Sequence, residues 1–145
     1  MYISSKGEYG IRALFDLAQH YGTGPVQSRD IRVRQSLDEN YLNQILISLR
    51  KAGLIESIRG PQGGHRLARP PAHINVLEAL LALEGPLLPT DAGRDSQPTE
   101  VVDRDVVLGV WAELRAVIER YLAGITLDDL VQRKRQLAGE VMYYI

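Results

Sequence analysis

Leu37-Asp38-Glu39-Asn40-Tyr41-Leu42-Asn43-Gln44-Ile45-Leu46-Ile47-Ser48-Leu49-Arg50-Lys51-Ala52-Gly53 runs directly into Leu54-Ile55-Glu56-Ser57-Ile58-Arg59-Gly60-Pro61-Gln62-Gly63-Gly64-His65-Arg66-Leu67-Ala68-Arg69. Asp38 has the chemistry of a helix N-cap and Gly53 that of a C′ residue. Between them Leu42, Ile45, Leu46 and Leu49 recur at helical spacing and share one side. Asn40, Gln44, Ile47 and Lys51 point the opposite way, with Asn43 and Arg50 on one flank. Leu54–Arg59 and His65–Arg69 then read as two short strands around a glycine-rich turn. A polar-faced helix followed by a glycine-tipped hairpin is the layout of a winged helix-turn-helix. In that layout the helix enters a DNA major groove and the wing meets the backbone or minor groove.

Working outward, Ser5 with Glu8 predicts a capping box. It opens a first helix whose apolar stripe comprises Ile11, Leu14, Phe15, Leu17, Ala18 and Tyr21. Gly22-Thr23-Gly24-Pro25 ends it. Ser28 is the expected cap of a short second helix, Arg29 to about Arg34, with Ile31 inward. A turn at Gln35-Ser36-Leu37 completes the helix-turn-helix. Downstream, Pro70-Pro71 stops the hairpin and Asn75 caps a helix over Val76 to about Glu84, broken by Gly85-Pro86. Residues 87–104 are rich in Pro, Asp, Gly and Ser and read as a mobile loop. A long helix is expected from Asp105 to Ala123. Its apolar residues Val107, Val110, Trp111, Leu114, Val117, Ile118 and Tyr121 form a 3-4 repeat over about two heptads. Thr126 with Asp129 opens one more short helix, and the tail from Val141 to Ile145 is too apolar to sit free in water.

The expected fold is therefore mainly α with a small β wing. Residues 1–73 form a winged helix-turn-helix DNA-binding domain and 74–104 a connecting helix and loop. Residues 105–145 form a dimerisation helix and C-terminal segment.

Net charge is −1, but it is unevenly placed. Residues 1–73 hold ten Lys/Arg against six Asp/Glu, and residues 74–145 hold seven against twelve. A basic half joined to an acidic half suits one surface facing a polyanion and another facing elsewhere, although scattered surface charge gives the same count. Cysteine is absent, which excludes disulfides, thiolate chemistry and cysteine-ligated iron–sulfur clusters. No apolar run approaches a membrane span and the N-terminus lacks a signal-peptide layout, so a cytoplasmic protein is expected. No nucleophile–base set or phosphate loop points to an enzyme: no Lys-Ser/Thr follows the glycines at 60–64.

Asn and Gln amides pair with an adenine edge, Arg and Lys with guanine or phosphate, and an apolar side chain with a thymine methyl. Asn40, Asn43, Gln44 and Ile47 are thus the candidate base readers. Taken alone, this helix face fits a solvated surface equally well; the wing behind it decides for DNA. Gly60, Gly63 and Gly64 allow close backbone approach, and Arg59 at the tip suits a narrow minor groove. Ser28, Arg50, Lys51 and Arg66 are the candidate phosphate contacts.

Several segments together resemble the Rrf2 family of bacterial transcription regulators, over Ile3 to about Gln132. They are Ile3-Ser4-Ser5-Lys6-Gly7-Glu8-Tyr9-Gly10, Tyr41-Leu42-Asn43-Gln44-Ile45-Leu46, Leu49-Arg50-Lys51-Ala52-Gly53-Leu54-Ile55 and the wing Arg59–Leu67. Leu83-Glu84-Gly85-Pro86 and Ile125-Thr126-Leu127-Asp128-Asp129-Leu130 continue the likeness. The resemblance implies a homodimer on a palindromic operator, paired through the long C-terminal helix. It also implies DNA contacts from the helix after Asp38 and from Arg59.

This chain departs from the family's pattern at two places. Many relatives carry cluster-binding cysteines before the dimer helix. Here that region holds Asp91, Asp95, Glu100, Asp103 and Asp105 and neither Cys nor His. Carboxylates do not hold ordinary iron–sulfur clusters, so no cofactor is expected. A hard divalent metal among them is the lesser alternative to a solvated acidic loop, and Glu8 is read as a capping residue. Relatives usually have Tyr where this chain has His65, read here as a neutral packing residue. The expected function is a sequence-specific DNA-binding regulator switched by a small-molecule effector or partner protein. Trp111 is a candidate to line an effector cavity, against the preferred reading of a dimer-core residue. The alternative to a regulator is a protein-binding adaptor docking a partner enzyme.

Overall fold

The computed structural model describes residues 3–88 and 98–143. Its order is α1 (Ser5–Gln19), α2 (Ser28–Gln35), α3 (Glu39–Lys51), β1 (Ile55–Ile58), β2 (Gly64–Leu67), a 3-10 turn (Pro71–His73), α4 (Val76–Glu84), α5 (Pro98–Ala123) and α6 (Leu127–Tyr143). β1 and β2 pair antiparallel, with Ile55 opposite Leu67 and Ile58 opposite Gly64.

Some helix starts differ from expectation by one residue. Ser4 caps α1, its Oγ accepting from Gly7 N–H at 3.3 Å, and Ser5 is the first helical residue. Ser4 is selected because its backbone N–H and hydroxyl also donate to Glu84 of α4, a partner the local sequence does not reveal. Gln27, without a side-chain bond, occupies the cap of α2, so Ser28 is inside the helix. Asp38 caps α3 by accepting from Tyr41 N–H at 3.2 Å. Asn75 and Glu78 form a reciprocal capping box on α4, as do Thr126 and Asp129 at the start of α6.

The expected 87–104 loop is shorter than its composition suggested. Helix α5 begins at Pro98, since proline at a helix's first position gives up only an N–H that would be unpaired anyway. Asp91 and Asp95 lie outside the described residues, while Asp103 and Asp105 are exposed on α5. The last helix is also longer than expected, running 17 residues. Tyr144 and Ile145 of the apolar tail fall outside the description.

One apolar core joins Leu14 and Leu17 of α1, Ile31 of α2, Leu42, Ile45, Leu46 and Leu49 of α3, Leu67 of β2 and Leu83 of α4. Leu127 and Val131 of α6 join it too, so the C-terminal segment adds to the winged-helix core. After α5 the chain returns to the start of α4, where Val76 N–H donates to Ile125 O (2.8 Å) and Leu127 N–H to Ile74 O (2.9 Å). Helices α1 and α4 cross closely at Gly7 and Gly10. A Cβ on Gly10 would lie 2.3 Å from Leu83 Cδ1, so the Leu83 side chain packs where any other residue would place its Cβ.

α1 and α2 are fixed by a polar lock. Asp16 is 1% exposed, and Arg34 grips it with Nε–Oδ2 at 2.9 Å and Nη2–Oδ1 at 2.8 Å. Gln35 Nε2 donates to Oδ2 at 3.3 Å, and Arg12 Nη2 donates to Gln35 O at 2.8 Å. Hydrogen bonding to Asp16, more than its charge, raises the Arg34 pKa above the ordinary arginine value, although burial opposes this.

Candidate nucleic-acid interface

Helix α3 keeps its apolar side inward and leaves Asn40, Asn43, Gln44, Ile47, Arg50 and Lys51 exposed. Its end is a complete Schellman motif. Gly53 N–H donates to Arg50 O and Leu54 N–H to Leu49 O, both at 3.0 Å, with Gly53 at φ 76°. The buried Leu54 then leads directly into β1, fixing where the hairpin leaves α3.

The wing tip is a tight turn in which Gly63 N–H donates to Gly60 O at 2.9 Å. A Cβ on Gly63 would stand 2.0 Å from Ile58 O, so the turn admits glycine alone. Arg59 is exposed at this tip. The wing has a third member that sequence spacing did not indicate. Val26, between α1 and α2, bridges β2 through Val26 N–H to His65 O (2.8 Å) and His65 N–H to Val26 O (2.7 Å). The hairpin is thereby tied to the helix-turn-helix along the outer edge of β2. Within it, Ser57 Oγ lies 2.9 Å from His65 Nδ1. Burial, with the Arg50 charge as a second cause, pushes the His65 pKa below its usual value, which keeps the ring neutral.

The basic residues of the N-terminal half divide by task. Arg12 and Arg34 serve the α1–α2 lock, Arg69 pairs with Glu78 at 2.9 Å, and Arg66 Nε donates to Glu56 Oε2 at 3.1 Å. Lys6, Arg29, Arg32, Arg50, Lys51 and Arg59 have no ion-pair partner among the described residues. Ser28 lines a cleft of about 220 Å³ between α2 and α3, together with Arg29, Arg32 and Asn43. Arg29 and Arg32 were not singled out in the sequence. Their signal is helical spacing: three residues apart on α2, they share the face that carries Ser28.

Helix α5 presents the other surface. Val107, Val110, Trp111, Leu114, Val117 and Tyr121 are 39–64% exposed, and Ile118 is half-buried. At 26 residues the helix is about 39 Å long. An entirely apolar cleft of about 310 Å³ lies at its base, between Ile3, Leu87, Val117, Ile118, Tyr121 and Leu122. No described helix is long and apolar enough to cross a membrane.

The profile of the Rrf2 family, described as an iron-dependent transcriptional regulator, matches residues 3–133. The chain is 34% identical over 145 residues to the HTH-type transcriptional regulator CymR of Bacillus subtilis (strain 168), covering all of both proteins. It superposes on the solved structure of CymR (YrzC), the global cysteine regulator of B. subtilis, with TM-score 0.76 over 92% of this chain and 98% of that one. The T. potens IscR structure matches with TM-score 0.74 and 42% identity over 92% and 88% of the two chains. The residues present do not fit a cysteine-ligated iron–sulfur cluster, the form of iron that the family's cysteines would hold. Cysteine is absent from the whole sequence, and no three His, Asp or Glu residues among the described residues are grouped to hold a metal ion. The described architecture, with its polar-faced α3 and glycine-turned wing, is that of these relatives: the chain belongs to the Rrf2 family of winged helix-turn-helix, DNA-binding transcriptional regulators.

Proposed function

We propose that the protein acts in the cytoplasm as a homodimer that reads a palindromic operator without an iron–sulfur cluster. One α3 and one wing reach only a few base pairs, and twofold pairing supplies the remaining affinity and the spacing of half-sites. The observation that carries this reading is the α5 stripe from Val107 to Tyr121, which its own chain leaves in water. Burying it against a second copy recovers roughly 25 cal/mol per Å² of apolar surface. Residues 1–73 form the DNA-binding domain, residues 74–104 connect it, and residues 105–145 carry dimerisation. In this arrangement Asn40, Asn43, Gln44 and Ile47 read base edges and Arg59 enters the minor groove. Ser28, Arg50, Lys51 and Arg66 hold phosphates, with Arg66 exchanging its exposed Glu56 partner for DNA, a weak surface pair to give up. A small molecule or a partner protein supplies the switch.

Fluorescence anisotropy on the chain's own promoter DNA at fixed salt tests this reading. Arg59→Ala and the Asn40→Ala/Asn43→Ala double variant should each lose preference for promoter over random DNA, about tenfold or more. Undiminished preference in both would remove the assigned roles.

A further inference from the structure

Behind the wing, and sharing Arg66 with the proposed DNA face, lies a cleft of about 490 Å³, within the range of small-molecule sites. It lies between the end of α1, the loop to α2 and the outer side of β2. Its floor is apolar, made by the buried Leu17, Val26 and Leu67. Gly22 and Gly24 border it, and a Cβ on either would meet nothing within 4 Å.

The cleft's polar groups form two complementary pairs. The first is Glu56 and Arg66, which face each other across the strands. Only Arg66 Nε and Glu56 Oε2 are engaged, leaving both terminal guanidinium nitrogens and the second carboxylate oxygen for a ligand. The second is the backbone of Leu67. Ala68 N–H donates to Leu54 O at 3.0 Å, which sets the ladder phase. In an antiparallel pair with that phase, the N–H and C=O of residues 65 and 67 point away from β1. Val26 takes both groups of His65. Those of Leu67, a residue only 3% exposed, have no protein partner among the described residues, and Leu67 lines the cleft. Nearly buried backbone groups of this kind require a partner. His20, oriented by Nδ1–H donating to Asp16 O at 2.8 Å, and Tyr21 close the side opposite β2.

A cation beside an anion, next to a free amide donor and acceptor, is the complement of one ligand class. We infer that this cleft binds a small zwitterionic dipeptide. Its carboxylate meets Arg66, its ammonium meets Glu56, and its amide pairs with the Leu67 edge. The site lies on the wing's docking bridge at Val26, so its occupant touches the segment that carries Arg59. Ligand and DNA would compete for Arg66, and binding is measured on the free protein, so the test stands whether or not Arg66 also contacts DNA.

The test is amide chemical-shift titration of the ¹⁵N-labelled full chain with diglycine, with N-acetyl-diglycine and diglycinamide as singly charged controls. Diglycine should produce saturable shifts at Leu67, Ala68, Tyr21 and Gly24 with Kd near or below about 1 mM. Each blocked form should bind about tenfold more weakly, having lost one charge-assisted contact. Glu56→Gln should weaken diglycine by about the same factor, and Ala68→Trp, which fills the cleft, should abolish the shifts. Absence of saturable shifts up to about 10 mM, or equal binding of blocked and free diglycine, would overturn the inference.

Discussion

In α3, Leu42, Ile45, Leu46 and Leu49 are at most 4% exposed, whereas in α5 Val110, Trp111, Leu114, Val117 and Tyr121 stand 39–64% exposed. Both helices carry apolar residues at the same three-and-four spacing. Helices α1, α2 and α4 and the start of the hairpin cover the first stripe within one chain. The second stripe has only its base against α4. Spacing therefore shows that a face needs cover, but not whether the cover comes from the same chain. The polar surfaces are inverted in the same way. Helix α3 leaves amides and cations free for a ligand, while α5 leaves free what another copy of itself would bury.

The largest expected effect separates the two kinds of cover. Leu114→Asp places a charge in the proposed seam. It should halve the mass measured by light scattering and weaken operator binding about a thousandfold, since two linked half-sites become one. The core counterpart, Leu49→Ala, removes a fully buried side chain and should cost about 3 kcal/mol in denaturant unfolding. Its cost should not vary with protein concentration, whereas the stability of a seam variant should. If both variants respond to concentration alike, the contrast between the two helices fails.

Smaller effects sharpen the polar half of the comparison. Lys51→Ala should weaken binding to all sequences alike and lower the slope of log affinity against log salt by about one. His65 gives the smallest. Its folded-state pKa lies below that of the unfolded chain, about 6.5, so between the two values the unfolded state binds more protons. Stability is therefore fully present above the unfolded pKa and falls as pH drops through it, levelling off below the folded value. His65→Asn should flatten the part of the melting-temperature profile that falls as pH drops below about 6.5. An unchanged slope would mean the ring is not held neutral between Ser57 and Arg50.

Features settled within a few residues were legible in the sequence. The Asp38 cap, the two faces of α3, the Gly53 stop and the Asn75 cap all follow from local chemistry. So did the hairpin, because glycine is required where Ile58 O leaves no room for a Cβ. Features settled across the fold were not. The choice of Ser4 over Ser5 depends on Glu84, eighty residues away. The Asp16–Arg34 lock and the Val26 bridge join segments with no shared pattern, so the sequence gives no sign of either. The start of α5 was hidden because Pro98 and its polar neighbours have loop composition although they open a helix. For the proposed interface, side-chain chemistry singled out the α3 and wing residues. Arg29 and Arg32 entered only once α2 and α3 were seen to share a cleft.

The central claim is that two α5 helices, and nothing else, bring two DNA-reading units to one operator. Sedimentation of the labelled promoter fragment with wild-type and Leu114→Asp protein tests it most directly. The account predicts two wild-type chains per fragment, and for Leu114→Asp only weak, salt-sensitive binding without preference for the promoter. A single chain bound with full sequence preference would contradict it.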